Sequence, residues 1–273
     1  KEPGPGLQIN YLCIEMSESK NIYFLSDAHL GVPDHESSLD RERKLVRWLE
    51  QVAPNARAIF LLGDIFDFWF EYKHVVPRGH VRLLGTLAHL TDQDIPVHFF
   101  PGNHDLWVND YFSKEVGMQI HHHPLRASFC GKSFFIAHGD GLGKGDQGYK
   151  FLKKIFTCRL CQWLFARLHP NFAVGLARHL SRRSRINNLS EDDKFLGEER
   201  EYLIGYAKDI LQKEHYDYFV FGHRHLPLKI KLSQQSTYYN LGEWFNRFTY
   251  GVFDGQEFRL EYFEKNGNPV LDD

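Results

Sequence analysis

The sequence predicts a mixed α/β chain in which β-sheets pack face to face and helices flank them. Two observations carry this. Strand and helix patterns alternate early and strands crowd the end, the order expected of layered sheets with outer helices. In addition, five polar segments each open at the end of an apolar, β-rich run. They are SDAHLG from Ser26, GDIFDFW from Gly63, GNHD from Gly102, AHGD from Ala137 and GHRH from Gly222. Polar groups at strand ends, with glycine beside them, are how a β-scaffold brings distant parts of a chain to one point.

The elements follow in order. NIYFL predicts a buried strand over 22–26, and Leu39, Leu45, Val46, Leu49 and Val52 recur at helical spacing over 37–53. A strand over 58–62 precedes a helix over 79–91, with Val81, Leu84, Leu87 and Leu90 on one side. Strands are expected over 97–100 and 133–137, a helix over 193–214, and strands over 217–221, 228–232, 236–241, 248–253 and 257–263. Residues 1–20 are weakly patterned and rich in Pro and Gly at the start. They are read as a leader or disordered terminus, with one domain over 21–273.

One stretch breaks the pattern. Gln147 to Ser190 has no Asp or Glu and carries Lys150, Lys153, Lys154, Arg159, Arg167, Arg178, Arg182, Arg183 and Arg185 among many apolar residues. It reads as a helical cap inserted over 147–190, with Pro170 dividing it into two pieces. The chain as a whole has a net charge of −2, so the basic excess is local. Base-stacking aromatics in a known arrangement are missing from it, which argues against nucleic acid as a partner. Apolar and basic residues on short helices suit an anionic membrane surface instead.

With 273 residues and an apolar fraction of 42%, the chain can build a substantial core. No run of about 18 apolar residues marks a membrane span. Four scattered cysteines do not form a disulfide framework and suit a reducing cytoplasm. Cys158 and Cys161 form a C-x-x-C without a second pair to complete a zinc site, and read as apolar helix residues. His121, His122 and His123 stand consecutively before Pro124 and read as a solvated connector.

The chemistry lies in the five segments. Asp27 and His29 can reach one side of a loop, the Asp64 carboxylate can bridge two ions, and Asn103 offers a neutral oxygen. His138, His223 and His225 add imidazoles. Seven such groups leave room for water and substrate on two ions, a constellation suited to hydrolysis of phosphoesters or phosphoanhydrides. Asp67 and Asp140 read as supporting residues rather than ligands.

At these residues the chain resembles the calcineurin-like metallophosphoesterase superfamily. The matching motifs are D-x-H at Asp27 and His29, GD-x-x-D at Asp64 and Asp67, GNHD at Gly102 to Asp105, HGD at His138 to Asp140 and GH-x-H at His223 and His225. The resemblance implies a four-layer αββα sandwich. It implies one divalent ion, Mn²⁺ with Mg²⁺, Fe or Zn as alternatives, on Asp27, His29, Asp64 and His225. A second ion would sit on Asp64, Asn103, His138 and His223. His104 would act on the phosphoryl group as acid or electrostatic group, with Asp105 orienting its ring.

GDIFDFW, HGDGLGKGDQGY, the cap directly after it and NLGEW from Asn240 are similar to the UDP-2,3-diacylglucosamine pyrophosphatase branch of lipid A biosynthesis. Enterobacterial members of that branch carry Arg where this chain has His104. The resemblance implies a UDP-sugar lipid substrate, products UMP and diacylglucosamine 1-phosphate, and substrate contacts from Asp146, Tyr149 and basic cap residues such as Arg182, Arg183 and Arg185. It further implies a cytoplasmic enzyme peripheral on the inner membrane. The alternatives are a soluble metal-dependent phosphodiesterase or nucleotide phosphatase, and a non-catalytic scaffold of the same fold. The complete set of ligand residue types disfavours the scaffold.

Overall fold

The computed structural model describes residues 11–14, 20–143, 147–177, 179, 195 and 197–264. Among the described residues, twelve strands form two six-stranded sheets. The first runs β12(Phe258–Tyr262), β11(Thr249–Phe253), β2(Asn21–Leu25), β3(Ala56–Leu62), β4(Val97–Phe100), β5(Gln119–Ile120). The second runs β1(Tyr11–Ile14), β6(Leu125–Phe129), β7(Lys132–Ala137), β8(Tyr218–Phe221), β10(Thr237–Leu241), β9(Pro227–Lys231).

Side-chain alternation builds the layers. Ile22, Phe24, Ala58, Phe60 and Leu62 of the first sheet face Phe134, Ile136, Val220 and Leu241 of the second in one buried cluster. Phe24 and Phe60 stack there at 4.9 Å between centroids. Each fully buried ring of this kind contributes roughly 1.5–3 kcal/mol. The opposite face of the first sheet, with Tyr23, Leu25, Ile59 and Leu61, packs on Leu45, Trp48 and Leu49 of α1(His35–Val52) and Leu83, Leu87 and Leu90 of α2(Val81–Asp92). A five-residue helix, α3(Tyr111–Glu115), adds Phe112 to the same core. The outer face of the second sheet, with Phe135, Phe219 and Phe221, packs on Leu203, Ile204 and Ala207 of the helix Tyr202–Leu211. The order is therefore helix, sheet, sheet, helix.

Helix ends follow from local chemistry. Asp34 caps α1 by accepting the Ser37 N–H at 2.8 Å. Buried Glu42 of α1 accepts the first N–H groups of α2, from Arg82 and Leu83.

Several expectations need correction. Residues 1–20 are not wholly a leader: Tyr11–Ile14 is an edge strand, parallel to β6, whose Leu12 and Ile14 lie against the inter-sheet core. A four-residue strand without a turn beside it leaves almost no periodic signal. The helix expected over 193–214 starts at Tyr202. In the cap, helical pieces lie on both sides of Pro170, which opens the stretch over 170–177, where its missing N–H costs nothing. The earlier break is at Cys158, between α4(Gln147–Thr157) and α5(Arg159–Phe165). The helix Tyr202–Leu211 is called α6 below. No helix among the described residues is long and apolar enough to cross a membrane. The large exposed apolar side chains are nonetheless concentrated. Among the described residues, all of them except Val75 and Val81 lie between Phe151 and Phe195, including Phe151 at 66% exposed, Leu160 at 63%, Phe172 at 62% and Trp163 at 53%.

The three consecutive histidines are not uniformly solvated either. His121 is partly buried and places its Nε2 3.0 Å from Nδ1 of His98, whose ring stacks on Phe60 at 4.3 Å. Burial pushes His98 down to about 3 and His121 down to about 4. Both folded values lie below the unfolded value near 6.5, so the unfolded chain takes up protons first as the pH falls. Their stabilising contribution is full above about pH 6.5 and is lost toward pH 3–4. Comparing urea midpoints from pH 7 to 4 should show a smaller acid loss in His98→Phe than in the parent chain. The difference should approach about 3 kcal/mol at pH 4. Parallel pH curves would show that this pair does not drive the loss.

Candidate metal centre

β2, β3 and β4 run parallel, as do β7, β8 and β10, and the polar segments leave from their C-terminal ends. The loops after β2 and β3 are laced together by backbone bonds, Asp27 N to Gly63 O at 3.0 Å, His29 N to Asp64 O at 2.9 Å and Leu30 N to Ile65 O at 2.9 Å. Asp27, His29, Asp64, His223 and His225 all have left-handed φ, between 39° and 68°. Such conformations cost of order 1–3 kcal/mol each at residues other than glycine and persist only when their surroundings hold them. The neighbouring glycines are needed for room. A Cβ at Gly63 would meet the His138 ring, one at Gly102 the Asp64 carboxylate, and one at Gly222 the Asp27 carboxylate.

The side chains converge in three overlapping groups: Asp27, His29 and His225; His29, Asp64 and His104; and Asp64, His138 and His223. Within each group one ligand atom per residue lies within 4.8 Å of the others. Asp27 Oδ1 is 3.2 Å from His225 Nε2 and 3.7 Å from His29 Nε2. Asp64 Oδ2 is 3.4 Å from His138 Nε2 and 3.9 Å from His29 Nε2. Asn103 Oδ1 is 3.4 Å from His138 Nε2. Backbone N–H groups hold the other carboxylate oxygens: His223 N donates to Asp27 Oδ2 at 2.9 Å, and His104 N to Asp64 Oδ1 at 2.8 Å.

This donor set fits a divalent cation. Nδ1 of His138 lies 2.6 Å from the Leu62 carbonyl, which can only accept, so that nitrogen carries a hydrogen. In the neutral ring, the Nε2 lone pair then points toward the oxygens of Asp64 and Asn103. Lone pairs that meet in a buried space call for a positive charge between them. Asp64 supplies its share of negative charge. Burial opposes ionisation, yet positive charge on the His138, His104 and His29 rings holds it well below the usual carboxylate range, the part a cation takes over where those rings are neutral.

Residues 20–227 match the calcineurin-like phosphoesterase family. The chain belongs to that family. Among curated relatives, it is 40% identical over 257 residues to the UDP-2,3-diacylglucosamine hydrolase of Porphyromonas gingivalis, covering 89% of this chain and 97% of that one. It is 29% identical over 242 residues to the enzyme of the same name from Aeromonas salmonicida, covering 87% and 91%. Among solved structures, the phosphoesterase Yfce of E. coli aligns with a TM-score of 0.47 and 13% identity over 91% of this chain and 96% of that one. The calcineurin-like phosphoesterase family implies divalent metals, and the clusters described above could hold them.

Within this phosphoesterase site, one expected role moves to another residue. Asp105 does not orient the His104 ring. Its carboxylate is wholly buried and accepts four backbone N–H groups: Gly102 at 2.7 Å, Ile65 at 2.9 Å, Asp64 at 3.2 Å and Phe66 at 3.2 Å. Burial and the nearby Asp64 lift its carboxyl to about 7 against the pull of those donors. The ring of His104 instead has Nδ1 3.1 Å from the Asp67 carbonyl and 3.5 Å from the Asp67 carboxylate. Adjacency in sequence suggested the wrong partner.

Other residues around the phosphoesterase centre gave little signal in the sequence. Arg224, between the two histidines of GHRH, turns away and forms a forked pair with buried Glu201 at 2.9 and 3.1 Å. NLGEW is a clamp: Asn240 Nδ2 donates to the Gly222 carbonyl at 2.6 Å, and Trp244 N to the Asp27 carbonyl at 3.0 Å. Glu243 accepts the N–H groups of Asn246 and Arg247 at 2.7 and 2.8 Å. Arg247 in turn donates to the His225 carbonyl at 3.0 Å, and Arg41 of α1 to the His29 carbonyl at 3.1 Å. Phe245 sets its ring edge-on to His29 and His225 at 6.0 and 5.5 Å.

The cap is fastened beside this centre. Tyr149 Oη donates to Asp140 Oδ2 at 2.6 Å and Lys153 Nζ to the same oxygen at 2.5 Å. Asp140 is thus a tether for α4, two residues from His138. Phe165 of α5 packs on Trp107 at 4.7 Å and on Phe70 at 4.8 Å, in the aromatic run after Asp67. Asp146, Arg182, Arg183 and Arg185, expected to meet substrate, lie outside the described residues.

Two experiments follow from the geometry. Asp64→Asn should bind fewer than two ions by metal analysis and lose more than about 100-fold in turnover; near-normal turnover with two ions bound would remove Asp64 from the bridging position. Asp67→Asn should lower kcat by about 10–100-fold with little change in melting temperature. Asp105→Asn should mainly lose stability, by about 3 kcal/mol, because the amide offers one acceptor oxygen where two now serve four backbone N–H groups. The opposite pairing of effects would return the ring-orienting role to Asp105.

Proposed function

We propose that this chain hydrolyses the pyrophosphate bond of UDP-2,3-diacylglucosamine to UMP and 2,3-diacylglucosamine 1-phosphate. The observation that carries this reading is the 40% identity to the Porphyromonas enzyme over nearly the full length of both chains, joined to a complete Asp/His cluster. In this reading, Asp27, His29, Asp64 and His225 hold one divalent ion and Asp64, Asn103, His138 and His223 the other, with Mn²⁺ the expected metal. When bound, the ions supply Lewis-acid charge at the phosphoryl oxygens and make the attacking water more acidic.

The remaining roles belong to the chain. Asp67 fixes the His104 ring so that its other nitrogen can meet the phosphoryl group, as a proton donor or an electrostatic partner. Asp105 and the NLGEW clamp hold the ligand loops in their left-handed conformations. Tyr149 and Lys153 tie α4 to the HGD loop, beside the place a substrate phosphate would occupy. The segment 147–190 acts as a cap in this reading. Its exposed apolar side chains receive acyl chains or rest on an anionic membrane surface, with Arg182, Arg183, Arg185 and Asp146 as polar contacts, at the cytoplasmic face of the inner membrane.

The test uses UDP-2,3-diacylglucosamine and its deacylated counterpart with Mn²⁺ in ¹⁸O-water. The diacyl compound should give UMP carrying the label and should exceed the deacylated compound by at least about tenfold in kcat/KM, since each buried CH₂ contributes about 0.8 kcal/mol. Label in the lipid phosphate would reverse the point of attack. Equal turnover of both compounds would favour a soluble phosphodiesterase.

A further inference from the structure

The segment GHRH turns sharply. His223 and His225 have left-handed φ, 68° and 39°, and Arg224 N donates to the Gly222 carbonyl at 2.8 Å. Left-handed backbone at residues other than glycine persists only where its surroundings hold it. Both imidazoles are committed to cations in the reading above, so of these three side chains Arg224 alone is available to hold the turn. Its side chain is 12% exposed and meets the Glu201 carboxylate as a fork: Nε to Oε2 at 2.9 Å, Nε to Oε1 at 3.2 Å and Nη2 to Oε1 at 3.1 Å. Over an apolar pair of like size, a buried ion pair commonly adds no net stability. What a planar fork adds is direction.

Glu201 is itself fixed. It is buried at the start of α6, where its carbonyl accepts the N–H groups of Ile204 and Gly205 at 3.0 and 3.2 Å. Leu203, Ile204 and Ala207 anchor α6 to the outer face of the second sheet. The same helix start touches both ligand loops of that sheet. The Tyr202 ring stands edge-on to His223 at 6.5 Å. A Cβ at Gly139, beside His138, would come within 2.9 Å of Leu203 and 3.4 Å of the His223 Cβ. The first turn of α6 is a post against which the loops of His138 and His223 rest.

We propose that Glu201 and Arg224 are a positioning pair: by tying the GHRH turn to α6 they hold His223 and His225 in reach of their ions, and so set the affinity of the centre for divalent cations. This rests on the ligand sets of the reading above and not on its substrate. The pair touches neither ion. It acts through the backbone of Arg224, which fixes where the flanking histidines leave the chain.

The test titrates Mn²⁺ into the metal-free full chain by calorimetry, beside the melting temperature of the same metal-free samples. Glu201→Gln should weaken Mn²⁺ binding by at least about tenfold, the scale of residues that orient metal ligands. Arg224→Lys keeps the charge but not the fork, and should lose several-fold. Glu201→Leu combined with Arg224→Met removes both charges together. That double variant should melt near the parent chain and still bind Mn²⁺ at least about tenfold more weakly. The visible absorption of bound Co²⁺ should change with it, since the imidazoles are displaced. Parent-like Mn²⁺ affinity in the double variant overturns the proposal. So does Glu201→Gln or Arg224→Lys with a lowered melting temperature and unchanged affinity, which marks the pair as support for the fold alone. A parent chain that takes up fewer than two ions removes the ligand sets themselves. Failure of the substrate reading leaves every one of these measurements as it was, because none contains substrate.

Discussion

Two buried carboxylates, Asp27 and Asp64, set the terms for everything around them. Both side chains are almost wholly removed from water. Burying such charge is costly unless each oxygen is met, and one oxygen of each is met by a peptide N–H from a different loop. The other two oxygens look into the space shared by His29, His138 and His225. That arrangement requires loops to approach within hydrogen-bonding distance, which explains the glycines at 63, 102 and 222. It also requires left-handed backbone at the ligands, which the surrounding bonds from Asn240, Trp244, Arg247 and Arg41 maintain.

The parts of this arrangement that were legible in the sequence are those whose signal is local. A strand, a glycine and an Asp or His occupy adjacent positions, so the ligand segments and most strands could be read directly. β4 falls at Val97–Phe100, the span its three apolar residues suggest. What could not be read depends on contacts between segments far apart. Asp105 follows His104, yet its carboxylate turns inward to the N–H groups of residues 64 to 66. Glu201 and Arg224 are 23 positions apart and neither belongs to a periodic pattern. NLGEW could be noticed but not understood, because its work is done by backbone atoms. The β1–β6 edge pairing joins residues more than 100 positions apart through a strand too short to announce itself.

The cap presents the reverse case: its composition was plain in the sequence, and its attachment was not. Charge and apolar content identified an unusual stretch, whereas the contacts that fasten it involve Asp140, Trp107 and Phe70 outside it. One tether comes from the HGD segment and the other from the aromatic run after Asp67. The cap is thus attached to the same loops that carry His138 and the partner of His104. A displacement of α4 or α5 acts on those loops through short, specific contacts, without needing to deform either sheet.

The division of the site between the two sheets has a mechanical consequence. Asp27, His29, Asp64 and Asn103 leave strands of one sheet, and His138 and His223 leave strands of the other. Neither sheet holds all members of the proposed ligand sets, so a cation taken up on them would act as a rivet driven through the seam of the sandwich. The seam is otherwise held by apolar side chains, whose attraction has no direction. A riveted seam resists sliding and parting at one end in particular, the end where the polar loops emerge. Register between the sheets and possession of the metal are then two aspects of one equilibrium.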